Sequence, residues 1–142
     1  MELLMALWIM GVAMAMVIPN FMRAIDHAHL QKTAGEVVCD LRLQQVKAQE
    51  LQSFQEVRFA PFSNFYQLYG DGEGVLSTST FEPTTSYFEG YLHLPQPTVR
   101  FDDNGNVSES GQIGFVDPEG DVMNLVVHLQ YGEVEILHHM VQ

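Results

Sequence analysis

The chain has 142 residues, with six basic side chains against 18 acidic ones and a formal net charge of −12. That balance repels phosphate backbones and excludes nucleic-acid capture as a default role. The single cysteine excludes an intramolecular disulfide, so any globular part must hold by packing.

Leu3 to Ile18 is an unbroken apolar run, with Glu2 in front of it and Pro19-Asn20-Phe21 behind. Its Met, Leu, Ala and Ile content favours helix. At 1.5 Å per residue it covers roughly 24 Å, and Phe21 and Met22 extend it towards the ~30 Å of a bilayer core. A carboxylate at the end of such a helix is expensive without a partner. A signal peptide would begin with a basic region and end at a small-x-small cleavage site, whereas this start is acidic. A plain single-pass anchor explains the length of the run, but neither Glu2 nor the helix-distorting Pro19.

Glu2-Leu3-Leu4, the small and apolar stretch from Met5 to Ile18, and Ile18-Pro19-Asn20-Phe21 together resemble the N-terminal helix of type IV pilins and type II secretion pseudopilins. In that family a glutamate near the mature start is followed by Leu-Leu, an apolar helix and a proline at the interval that separates Glu2 from Pro19. The resemblance implies that Glu2 pairs with the free amino terminus of a neighbouring subunit, the counter-charge a buried carboxylate needs. It further implies that Pro19 distorts the helix and that Leu3, Leu4, Leu7, Ile9, Ile18 and Phe21 pack in a filament core. The implied partners are other pilin or pseudopilin subunits, an inner-membrane assembly platform and, before assembly, the lipid bilayer. The implied location is the inner membrane, crossed once, with the head in the periplasm or outside and a methylated mature amino terminus. No cofactor, metal or catalytic role is expected.

The family carries four residues ahead of that glutamate, preceded by a short basic leader ending in Gly, whereas Met1 alone stands there in this sequence. The leader and three further mature residues are therefore expected upstream. Charge points the same way: Arg23 just beyond the run would by itself place that end in the cytoplasm, and a basic leader would reverse the orientation.

From Met22 to about Leu51 the helix continues in amphipathic form. Leu30, Ala34, Val37, Leu41, Ala48 and Leu51 recur at spacings of three and four, with Gln44 in the remaining slot. Lys32, Glu36, Asp40, Lys47 and Glu50 take other faces. Pro19 and Gly35 are the expected points of bending. Cys39 is expected as a small buried hydrophobe. Asp40-Leu41-Arg42-Leu43-Gln44-Gln45, followed by Lys47-Ala48-Gln49, resembles the end of the helix in the H-type minor pseudopilins and related minor pilins.

After Ser53 the period changes. Strands are expected at Val57–Phe59, Phe65–Tyr69, Tyr87–Leu94, Thr98–Phe101, Ile113–Val116, Leu125–Leu129 and Val134–Leu137. Turn signals separate them at Gly70-Asp71-Gly72, Pro95-Gln96-Pro97, Asn104-Gly105, Asp117-Pro118-Glu119-Gly120 and Tyr131-Gly132. Ser77–Ser79 and Thr84–Ser86 are expected in a Ser/Thr-rich surface loop. Phe101 followed by Gly105, then Gly111-Gln112-Ile113 and a closing hairpin, resembles the end of the H-type head. The region from Phe59 onward holds twelve of the acids and a single basic residue, Arg100, which speaks against the DNA capture known for some relatives.

Chemistry finds little support. His27 and His29, two apart on a helix, face different ways, and His138-His139 lies at the chain end. Asp102, Asn104 and Asn106 have the spacing that opens an EF-hand loop. Val107 and Ile113, however, stand where that loop needs Gly and a bidentate Glu, so an Asn-Gly turn is expected instead. The sequence contains no nucleophile elbow, phosphate-binding Gly loop or zinc-protease helix.

The expectation is an α+β, pilin-like ladle: a long N-terminal α-helix, its second half packed on an antiparallel β-sheet head. Its parts are a hydrophobic helix over 1–22, an amphipathic continuation over 23–54 and a β-rich head over 55–142. The function expected from the resemblance is a filament subunit, first a minor pseudopilin of type II secretion and second a minor or major pilin of a type IV pilus or competence system. A membrane-anchored binding protein with an acidic head is the alternative from another class.

Overall fold

A computed structural model describes residues 2–60, 63–88, 97–128 and 134–139, with residues 137–139 described by their backbone alone. Helix α1 runs from Glu2 to Leu51 with Pro19 inside it, assigned without interruption through Pro19 and Gly35. Its end is a helix-stop turn: the Ser53 N–H donates to the Ala48 carbonyl at 3.2 Å, and Gln52 takes the left-handed conformation, φ 47°.

Among the described residues eight strands follow: β1 (Gln55–Phe59), β2 (Phe65–Gly70), β3 (Gly74–Thr80), β4 (Ser86–Phe88), β5 (Thr98–Phe101), β6 (Gly111–Val116), β7 (Val122–Val127) and β8 (Val134–His139). They form two antiparallel four-stranded sheets, ordered β3-β2-β1-β5 and β4-β6-β7-β8. Two expectations change here. Ser77–Ser79 belongs to β3 and not to a loop; pairing with β2 supplies the ladder that its own polar composition does not advertise. Only Tyr87 and Phe88 of the Tyr87–Leu94 stretch fall within the described residues, in β4, while Pro95-Gln96, Leu129 and Tyr131-Gly132 lie outside them.

Inward positions alternate along β7, where Met123, Leu125 and Val127 are buried, as strand periodicity requires. They meet a stripe on α1 made of Leu30, Ala34, Val37, Leu41 and Ala48, together with Thr33 and Gln44. Leu51, expected in this stripe, is 64% exposed; the helix ends there, and Leu51 borders an open groove with Gln55 and Leu76. Cys39, expected buried, is exposed; at 100° per residue it lies well round the helix from Leu41. Five rings tie the two sheets together. Phe59 of β1 stacks on Tyr66 of β2 and Tyr87 of β4, and Phe81 stacks on Tyr66 and meets Phe115 of β6 edge-on, with centroids 5.3 to 5.7 Å apart.

Candidate functional site

The residues expected to matter for assembly all lie on the half of α1 that touches nothing. Every residue from Glu2 to Ala24 is exposed, and the 18-residue apolar window here has none of its residues buried. Among the described residues, one helix is thus long and apolar enough to cross a membrane. Leu3, Leu4, Leu7, Ile9, Ile18 and Phe21 are each more than half exposed, as is Trp8. A helix advances about 100° per residue, so Leu3, Leu7, Ile18 and Phe21 fall within roughly 60° of one another, with Leu4 beside them. Ile9 is not brought to that face; it lies on the opposite side, with Glu2. Apolar cover on every side of a helix fits a buried or membrane environment and not a single docking seam.

Glu2 sits in the first turn, where four backbone N–H groups lack intrahelical partners and the helix dipole favours an anion. Pro19 lies about 26 Å along the axis from it. Lacking an N–H, Pro19 cannot bond the Ala15 carbonyl. No Lys, Arg, Asp or Glu intervenes between Glu2 and Arg23. Arg23 closes the bare segment by donating from Nε to Glu119 in the β6–β7 turn at 3.2 Å. Asp117 shapes that turn by accepting the Glu119 and Asp121 N–H groups on one carboxylate oxygen.

Beyond Arg23 the helix is fastened by polar contacts that sequence periodicity does not reveal. Asp26 accepts from the Thr84 hydroxyl at 2.8 Å, and the Glu82 N–H donates to the Thr33 hydroxyl oxygen at 3.1 Å. His29 Nδ1 lies 3.1 Å from the Pro83 carbonyl; a carbonyl only accepts, so this nitrogen carries the proton. Lys32 donates to Glu82 at 2.5 Å, and this bond raises the lysine pKa and lowers the glutamate's. The clasp holds Thr84 at φ 71°, a region a β-branched residue rarely enters.

On the other flank, Gln45 and Gln49 donate to the Gly105 and Asn104 carbonyls at 2.9 and 3.0 Å. The turn they grip is the expected Asn-Gly turn. Gly105 has φ 78°, and a Cβ there would lie 2.4 Å from the Gln49 amide. Asp102 braces this turn by accepting the Asn104 and Asn106 N–H groups, and these bonds hold its carboxyl below the usual range. The signal for both clasps was present as polar residues three or four apart beside the greasy stripe: Asp26, His29 and Thr33 on one side, Gln45 and Gln49 on the other.

The head's two arginines turn inward in charge. Glu56 on β1 faces Arg100 across the β1–β5 pair and bonds both Arg100 and Arg58. Burial pushes the Glu56 carboxyl up, but the two guanidinium hydrogen bonds outweigh it and hold the pKa below its ordinary value. Arg58 also lies over the Tyr69 ring at 3.9 Å. Asp40 on α1 accepts from Tyr66 at 2.5 Å. Burial first, and that bond second, push the phenol far above its usual range. Among the described residues no group of three His, Cys, Asp or Glu side chains is placed to hold a metal ion.

A long helix clamped across a two-sheet head has counterparts among solved structures. The type IV minor pilin FimU of Pseudomonas aeruginosa strain PAO1 superposes with a TM-score of 0.60 at 12% identity, over 78% of this chain and 90% of that one. The minor pseudopilin EpsH of the Vibrio cholerae type 2 secretion system matches with a TM-score of 0.60 at 13% identity, over 78% of this chain and 97% of that one. The chain has the pilin fold. A second crystal form of FimU gives a TM-score of 0.59 over 76% of this chain. No family model and no curated protein matches the sequence. The ladle architecture expected from the sequence is thus the observed one.

Proposed function

We propose that the chain is a subunit of a pilin-like filament, and within that class a minor pseudopilin of a type II secretion system. The observation that carries the reading is the bare apolar half of α1, begun by Glu2 and attached to a head with the pilin fold. Before assembly this segment is solvated by a lipid bilayer, with the head outside it; an assembly platform in the inner membrane then draws it into a bundle of sister helices. Burial of apolar surface drives that bundling. The Glu2 carboxylate enters the bundle opposite a neighbour's amino terminus, which supplies the counter-charge. The work is assembly and not catalysis. A minor pilin of a type IV pilus is the second reading, favoured by the equal superposition on FimU.

The test is Glu2→Ala. Membrane insertion stays intact, since the change removes a charge from an apolar helix end. Incorporation falls, because the neighbour's ammonium is left buried without its partner, a loss of about 3–5 kcal/mol. Glu2→Gln is also defective, being able to hydrogen-bond but not to cancel charge. At equal membrane levels, each variant's co-purification with sheared filaments or other pilin-like subunits is measured. Wild-type incorporation of Glu2→Ala defeats the role assigned to this residue.

A further inference from the structure

Strand β3 stands at the outer edge of its sheet, paired to β2 on one side alone. Six of its seven residues are exposed and Ser79 is half-buried. Gly-Val-Leu-Ser-Thr-Ser-Thr holds no Pro, Lys or acid; of the devices that ordinarily protect an edge it has only a register irregularity at Leu76. A single register shift between Leu68 and Tyr69 interrupts its pairing with β2. Two other outer strands are covered. The chain returns over β5 through the Phe101–Val107 bridge and the Ser108 N–H bond to the Arg100 carbonyl. On β4 the Tyr87 N–H is taken by the Ser63 carbonyl. Among the described residues, the free edge of β3 has no such cover.

The surroundings of this edge are acidic. Asp71 and Glu73 stand at its start and Glu82 just past its end. The Asp40–Tyr66 bond fixes Asp40 under the Tyr66–Ser79 pair, with Glu36 one turn earlier on α1. Lys32 is engaged by Glu82 and Glu36, and Arg58 and Arg100, which line the surface beside Asp71 and Gly74, are engaged by Glu56; Lys47 stands on the other side of the Asp71 end. Lys47, Leu51, Leu76 and Glu73 line a groove of about 340 Å³ beside the Asp71 end. It has the character to take an apolar side chain next to a basic one.

We propose that the free edge of β3 receives an extended segment of a partner chain as a fifth strand, with Lys or Arg flanking that segment's apolar and β-branched residues. Main-chain bonds supply the affinity and the acidic ends select the partner. A second copy of this chain is the wrong occupant. A two-fold antiparallel β3–β3 pair would set Asp71 and Glu73 of each copy towards Glu82 of the other, and like charges brought together there oppose pairing. The inference goes beyond the filament reading, since the edge is open whatever covers the bare helix.

The experiment uses the full chain in detergent micelles and three synthetic nine-residue peptides. The first alternates Thr and Val between terminal lysines, the second carries terminal glutamates instead, and the third is the lysine peptide with its inner amides N-methylated. Amide hydrogen exchange reads the outcome. The lysine peptide slows exchange in 74–80 at least tenfold and leaves the bare half of α1 unchanged. The glutamate peptide binds at least tenfold more weakly, and the N-methylated peptide gives no protection. The double variant Asp71→Asn, Glu73→Gln keeps the fold, shown by unchanged exchange in β6 and β7, and narrows the gap between the two charged peptides. Absence of β3 protection by the lysine peptide at millimolar concentration overturns the proposal. So does equal protection by the glutamate peptide, protection insensitive to N-methylation, or self-association of the chain through β3.

Discussion

The two halves of α1 share one helix and obey opposite rules. From Leu3 to Met22 every side chain but that of Asn20 is apolar or glycine and none is covered; from Leu30 to Ala48 a narrow stripe is fully buried and the remaining faces are mostly polar, with Leu43 and Val46 exposed among them. The first half gains nothing from the rest of the chain, so its environment must come from outside. The second half is held by its own head through the stripe and through two sets of polar clasps. One helix thus carries an uncovered segment and an internally packed segment in sequence, and the boundary lies where Arg23 meets Glu119.

That contrast can be broken by substitution. The largest effect is expected at Leu41, which is fully buried: Leu41→Ala costs the head about 2–5 kcal/mol. The near-ultraviolet dichroism of the tyrosine cluster follows this during urea unfolding, because the only Trp lies in the bare half and does not report on the head. Gln44→Leu moves the other way. Gln44 is fully buried and neither amide atom has a hydrogen-bond partner among the described residues. Replacing it by an apolar side chain of similar size stabilises the head by about 1–3 kcal/mol in the same assay.

Gly105→Ala tests the clasp. The left-handed backbone and the displaced Gln49 together cost about 1–2 kcal/mol, seen as a lower urea midpoint. Glu56 tests the head's electrostatics. Its pKa is depressed in the folded state, so its contribution is present above the ordinary value of 4.5 and is lost as pH falls through the depressed one. Glu56→Gln should therefore flatten part of the acid limb of a stability–pH profile. The smallest effect is the sharpest contrast: Leu7→Ala leaves head unfolding unchanged, since Leu7 touches no part of the head. A shift in midpoint comparable to that of Leu41→Ala would show that the two halves are not independent.

Periodicity made most of this legible. The apolar run, the stripe through Leu30, Val37 and Leu41, and the strands rich in Val, Phe and Tyr all encode burial directly in residue type. What stayed hidden depends on partners. Strand β3 reads as a loop because its residues are small and polar, and only pairing with β2 makes it a strand. Leu51 keeps the helical period but stands at the stop turn, where it borders an open groove and stays exposed. Cys39 has the hydrophobicity of a core residue but the angular position of a surface one. The glutamines that grip Asn104 and Gly105 have nothing in their spacing to name a turn some 55 to 60 residues away. As for the bare half, its residue types state that it must be covered, and only the resemblance carried by Glu2, Leu3, Leu4 and Pro19 names the cover.

The Arg58–Glu56–Arg100 cluster has a consequence at long range. Those are the only arginines or lysines after Lys47, and both are engaged by a carboxylate of the same head. Seen from solvent, the head offers anionic surface with almost no relief. Stacked in the proposed filament, such heads make a rod of high linear charge, and two rods approaching side by side must compress their counterion clouds. At physiological ionic strength that repulsion reaches only about 8 Å, so single rods stay apart until divalent cations or polyamines bridge them. Bundling of such rods then depends on the ionic composition of the medium.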